Sequence, residues 1–148
     1  MIRIKAVDAQ NILEVCGLSW GGEGACTSAE GQVRCNVLSI AEAKYDPELH
    51  PNAIYNDGVL IGFFMYSRAE DRAETATIRR FMVDGRFRRG ALEKKALEHV
   101  LRGLKIQGVR RAAAIIDGAD ENEKKLYLSL GFRFADNSGG ECRGELDL

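Results

Sequence analysis

The dipeptide Asp57-Gly58 stands between two apolar runs, residues 53–56 and 59–66. A two-residue connection that follows the twist of its strands needs left-handed backbone at both central positions, and Asp-Gly tolerates this better than almost any other pair. The chain is therefore held to an antiparallel hairpin at its centre. Charged residues 68–74 make a polar turn, and Thr75–Val83 reads as a third long strand. Downstream, Leu92, Ala96, Leu97, Val100, Leu101 and Leu104 fall on one helical face. Residues 109–116 form a compact apolar strand, 121–130 a helix, and 132–134 with 141–148 a final hairpin. Upstream, residues 2–7 read as a strand and 10–18 have near-helical apolar spacing. A glycine-rich stretch around Trp20 and Cys26 follows, and then a helix over 37–44 ended by Asp46-Pro47. No internal repeat or linker interrupts this order. The expectation is one α/β domain over residues 1–148, with a mixed, mainly antiparallel sheet.

A length of 148 residues can bury a real core, and 45% hydrophobic with 29% charged residues is the balance of a globular protein. No apolar run is long enough to span a bilayer. The first residues, Met1-Ile2-Arg3-Ile4-Lys5, alternate like a strand and lack a signal-peptide core, so a cytoplasmic location is expected. Cys16, Cys26, Cys35 and Cys142 form no C-x-x-C pair and have no histidine at ligand spacing. They read as free thiols, with Cys26 and Cys35 able to meet across a loop, and no metal site is expected.

Charge is distributed unevenly. Residues 1–77 carry 11 acidic and 6 basic side chains, net −5, whereas residues 78–111 carry 11 basic and 3 acidic, net +8. Such a split suits a protein that holds an anion with one part and a cation with another, although solvated helix faces produce the same pattern. Only Phe81 and Phe87 interleave with the basic residues, which argues against nucleic-acid binding.

The segment Lys124-Lys125-Leu126-Tyr127-Leu128-Ser129-Leu130-Gly131-Phe132 reads as a helix closed by a glycine, with an aromatic residue opening a strand. A tyrosine on such a helix can simply pack half-buried. The segment nevertheless closely resembles the A-x-x-L-Y-x-x-L-G-F signature of the GNAT superfamily of N-acetyltransferases. Around it, "SIAEA" (39–43), "AIYNDGVLIGFFMY" (53–66), "RFMVD" (80–84) and "KKALEHV" (94–100) look like bacterial spermine/spermidine N-acetyltransferases and their relatives, in the same order.

The resemblance implies the GNAT fold, acetyl-CoA as cosubstrate, a polyamine or similar primary amine as acceptor, and a homodimer. It makes Tyr127 the general acid for the leaving thiolate. The backbone of Met82 and Val83 would hold the pantetheine amides and the thioester carbonyl. The family's pyrophosphate turn, Q/R-x-x-G-x-G/A, falls on Arg88, Arg89, Gly90, Ala91, Leu92 and Glu93. Helix-start N–H groups bind the phosphates there, and small residues allow close approach. This chain departs from the pattern: Ala91 replaces the first glycine, Glu93 fills the final small position, and Gly90 lies one place early. A carboxylate about 5 Å from a phosphate charge costs roughly 1–3 kcal/mol, which Arg88, Arg89, Lys94 and Lys95 could offset. Glu93 could also turn outward to pair with Arg89. A degenerate, non-catalytic binding module is the alternative reading.

Where the family places an asparagine against the pantetheine arm this chain has Asp120, with Asn122 close by. Either could instead cap the helix. For the acceptor, Glu42 is the leading carboxylate, ahead of Glu30 and Asp46, with a solvated surface charge as the plain alternative.

Overall fold

The computed structural model describes residues 1–19, 35–88, 91–118, 120–135 and 140–148. The Cys26–Cys35 pairing, Glu30, and the anion-turn residues Arg89 and Gly90 therefore involve positions outside the described residues.

Strand β1 (Ile2–Ala6) leads to the short helix α1 (Ile12–Cys16) and to α2 (Asn36–Tyr45). Strands β2 (Leu49–Asn56), β3 (Val59–Ser67) and β4 (Thr75–Val83) form the expected meander, and Asp57 and Gly58 take φ of 50° and 81° at its first turn. Then come α3 (Leu92–Ile106), β5 (Arg111–Asp117), α4 (Glu121–Ser129), β6 (Arg133–Phe134) and β7 (Glu141–Asp147). Among the described residues the strands form one seven-stranded sheet, ordered β1-β2-β3-β4-β5-β7-β6. Its β4–β5 pair is parallel and the others antiparallel.

Two elements depart from the sequence pattern for local reasons. Helix α1 begins later than residue 10, because the Asp8 side chain accepts the N–H groups of Gln10 and Asn11 at 2.9 and 3.0 Å and holds a turn there. Strand β2 begins before residue 53 and runs through Pro51. The last β1–β2 pair is Ala6 with Asn52, so the missing Pro51 N–H lies beyond the β1 ladder.

The core has two parts, one on each face of the sheet. Helices α3 and α4 cover the first, where Ala96, Leu97, Val100, Leu101 and Leu104 meet Ile54, Ile61, Phe64, Ile78, Phe81 and Val83. Each buried Leu or Val contributes about 1.5–3 kcal/mol. Tyr127 and Phe132 belong to this core too. Helices α1 and α2 cover the other face, over Val15, Ala53, Phe63, Met65 and Met82. Strand β3 packs against both, which explains its unbroken apolar run from residue 61 to 65. No helix among the described residues is long and apolar enough to cross a membrane.

Candidate active site

Strand β4 carries one residue more than its partner needs. Met65 pairs with Arg80 and Tyr66 with Ile78, so Arg79 is a bulge. A bulge bends its strand and increases twist. Here it coincides with the end of the parallel pairing: β4 and β5 are matched only from Thr75↔Arg111 to Ile78↔Ala114. Beyond that point β4 stays with β3, while Ile115, Ile116 and Asp117 of β5 pair with β7. The two strands thus open a gap in the middle of the sheet.

Val83 supplies backbone groups to that gap. It lies opposite Gly62, and the next N–H, of Asp84, donates to the Ile61 carbonyl at 2.8 Å. In an antiparallel ladder this makes Val83 a position whose own N–H and C=O turn away from β3. Met82 is the alternate position, directed at Phe63 of β3, with its side chain in the α1/α2 core. Gly62 permits this close pairing, since a Cβ there would collide with the Met82 carbonyl oxygen. Arg88 reaches back so that its Nε donates to the Val83 carbonyl at 2.6 Å.

Against Phe81 of β4 lies a cavity of about 300 Å³, walled also by Leu126 and by the polar residues Arg88, Glu93, Asp120, Asn122 and Glu123. Ala91 is the N-cap position of α3 and makes no side-chain cap. Asp120 caps α4, its Oδ1 accepting the Glu123 N–H at 3.1 Å. Glu93 does not turn outward: it is half-buried and faces the cavity. Burial pushes its carboxyl above the usual range, Arg88 draws it part of the way back, and Asp120 pushes it up again.

Tyr127 follows Leu126 on α4 and is only 1% exposed. Phe132 and Phe134 meet its ring edge-to-face, at 5.1 and 6.4 Å between centroids. Gly131, at φ 98°, closes the helix so that Phe132 can fold back over it. Burial raises the Tyr127 phenol well above its ordinary pKa, and the charges of Glu123 and Glu93 add to this. The phenol is protonated at neutral pH.

On the α2 side, Glu42 is not isolated. Its Oε1 lies 3.6 Å from Nη2 of Arg80, which the bulge turns toward α2, and its side chain is 40% exposed. Arg80 also donates from Nη1 to the Arg79 carbonyl, at 2.9 Å. Its buried Nε has no hydrogen-bond partner among the described residues. Asp46 is exposed at the end of α2, where its side chain accepts the Glu48 N–H.

Asp84 is a site-forming residue that sequence reasoning passed over. It is 2% exposed, yet it accepts hydrogen bonds from Ser19 N–H at 2.8 Å and from the Arg86 N–H and Nε, both at 2.9 Å. Burial pushes its carboxyl up, but these bonds and the Arg86 charge outweigh burial and leave it below the ordinary range. Asp84 thereby ties the chain after α1 to the end of β4. An acid followed by glycine at the end of an apolar strand was the available signal.

Similarity to known proteins follows the same lines. The model of the acetyltransferase (GNAT) family matches residues 23–132. No curated protein sequence is a significant match. Among solved structures, an acetyltransferase from Thermus thermophilus superposes with a TM-score of 0.73 at 21% identity, covering 99% of this chain and 97% of its own. The PaiA N-acetyltransferase from Thermoplasma acidophilum, solved in complex with coenzyme A, gives 0.69 at 16% identity, over 100% and 99% of the two chains. Ard1 from Thermoplasma volcanium gives 0.72 at 15%, over 99% and 97%. At these identities the superpositions establish the fold.

Proposed function

The chain belongs to the acetyltransferase (GNAT) family, whose members use acetyl-CoA, and from that premise we propose that it N-acetylates a polyamine with Tyr127 as general acid. One observation carries the catalytic part: a buried, protonated tyrosine sits on α4, the helix packed on β5, which parts from β4 beyond Ile78 where the Val83 backbone turns away from its own ladder. In this reading the backbone of Val83, with Met82 beside it, holds the pantetheine amides and the thioester carbonyl. Arg88, Arg89, Gly90 and Ala91 at the start of α3 receive the phosphates, and Asp120 and Asn122 flank the arm. A neutral amine attacks the thioester carbon, the C–N bond forms and the C–S bond breaks. Tyr127 gives its proton to the departing sulfur, while the amine's proton leaves to water.

The polyamine assignment rests on the net −5 of residues 1–77, on Glu42 within "SIAEA", and on the sequence resemblance. Glu42 remains open enough, beside Arg80, to meet a second cation. Selection by diffuse charge weakens with salt, because the Debye length is about 8 Å at physiological ionic strength. Spermidine is expected to react faster than monoamines at low salt, with Glu42→Gln and added salt each narrowing the difference. Monoamines reacting faster than spermidine, with Glu42→Gln silent, would remove the polyamine. Cytoplasmic location and a homodimer complete the proposal.

The inward carboxylate of Glu93 favours one competing reading, a domain that binds donor with little turnover. A calorimetric titration with acetyl-CoA, set beside thiol release in the presence of spermidine, separates the two.

A further inference from the structure

The start of α3 is where a phosphate-bearing donor finds N–H groups and the positive end of a helix dipole. In this chain a carboxylate is already built into that place. Glu93 sits in the first turn of α3, half-buried, and faces a cavity of about 300 Å³. The groups facing it come from every element around the cavity. Arg88 projects from the segment after β4, with its Nε on the Val83 carbonyl. Asp120, Asn122 and Glu123 come from the start of α4, and the charge of Glu93 is felt by Tyr127, one turn beyond Glu123 on that helix. Lys94 and Lys95 follow Glu93 on α3 itself. The described wall thus carries three carboxylates and one arginine. A dianionic phosphate entering this cavity meets repulsion that Arg88 alone does not cancel, and protonation of one carboxyl relieves it.

Building on the donor site proposed above, we propose that Glu93 sets donor preference by proton linkage. A thioester donor that brings phosphate to the start of α3 binds with uptake of one proton by Glu93. A donor with the same arm and no phosphate binds without it. Glu93 is the carboxyl suited to this role: it is the one of the three that stands in the first turn of α3, and burial already holds it toward the protonated form. Asp120 is committed to capping α4. The sign follows from linkage. Below the pKa of Glu93 in the free protein, donor affinity does not depend on this group. Above it, affinity falls by up to tenfold per pH unit until the higher pKa of the bound state is passed.

The test is calorimetric titration of the full chain with acetyl-CoA and with S-acetylpantetheine, between about pH 5.5 and 8.5, in buffers of different ionisation heat. Wild type is expected to take up protons with acetyl-CoA, at most one per donor bound, in the pH window between the free and bound pKa values of Glu93. Glu93→Gln should lose that uptake and its pH slope, and S-acetylpantetheine should bind with no slope in either protein. Titration of the donor's own phosphate cancels in the difference between wild type and variant. Glu93→Ala carries the same expectation should the Gln variant not fold. Equal slopes in wild type and variant with acetyl-CoA overturn the proton linkage and leave the donor site standing. Failure of both proteins to bind either donor at any pH overturns the donor site, and this inference with it.

Discussion

The two ends of the gap between β4 and β5 are built on opposite principles. At the α4 end, Tyr127 is enclosed by Phe132 and Phe134 in an apolar core. At the other end, Glu93 of α3 and Asp120 and Glu123 from the start of α4 share a polar cavity with Arg88. Burial pushes both Tyr127 and Glu93 upward, with different consequences. A phenol is neutral at pH 7, so raising its pKa further costs nothing there. A carboxyl normally ionises near pH 4.3, so raising it leaves a charge that the fold disfavours across the working range. In the proposed reading the chemical end is electrostatically settled, and the anchoring end is in tension.

The sharpest way to break this comparison is at the settled end. Tyr127→Phe keeps the ring and its edge-to-face contacts, so folding and donor binding should persist. Turnover should fall by about 10²–10⁴, the range for loss of a general acid. A kcat equal to wild type with a good acceptor would leave Tyr127 as packing alone.

Next in size is the anchoring end. Ala91→Gly combined with Glu93→Gly removes a repulsive charge and lets backbone approach the phosphates. Relief of roughly 1–3 kcal/mol corresponds to about 5- to 150-fold tighter acetyl-CoA binding. The gain should appear in affinity and not in kcat at saturation. Equal affinity in the two proteins would show that the anion is held elsewhere, or that the turn works as it stands.

Much of this was legible in the chain, because it rested on local rules. Asp57-Gly58 fixed the hairpin, the spacing from Leu92 to Leu104 fixed the buried face of α3, and Gly131 closed α4 as expected. What stayed hidden depends on pairs distant in sequence. Strand alternation alone would put Arg80 on the face of Ile78. The bulge at Arg79 exchanges the faces, so Phe81 joins Ile78 in the core and Arg80 meets Glu42. Nothing in "RFMVD" announces that Asp84 will accept the Ser19 N–H across 65 positions. The inward turn of Glu93 was hidden likewise, since an exposed helix start and a cavity wall have the same local pattern.

The smallest effect is on stability, and it tests the tension without any ligand. Glu93 has its pKa raised in the fold, so between the unfolded and folded values the native state holds more of this proton than the unfolded chain. Stability must then decline as pH rises through that window, and the penalty is complete above the folded pKa. Glu93→Gln cannot titrate. Its stability relative to wild type should be unchanged below about pH 4 and should rise to a plateau toward neutrality. Because Glu93 is only half-buried and Arg88 partly compensates, solvent screening keeps the plateau below about 1 kcal/mol. Urea midpoints for both proteins across this range measure it, provided the m-values agree. Parallel profiles would mean that Glu93 is as comfortable as any surface carboxylate, and the contrast between the two ends of the gap would disappear. A difference that grows with pH would place the tension in the fold itself, before any phosphate arrives.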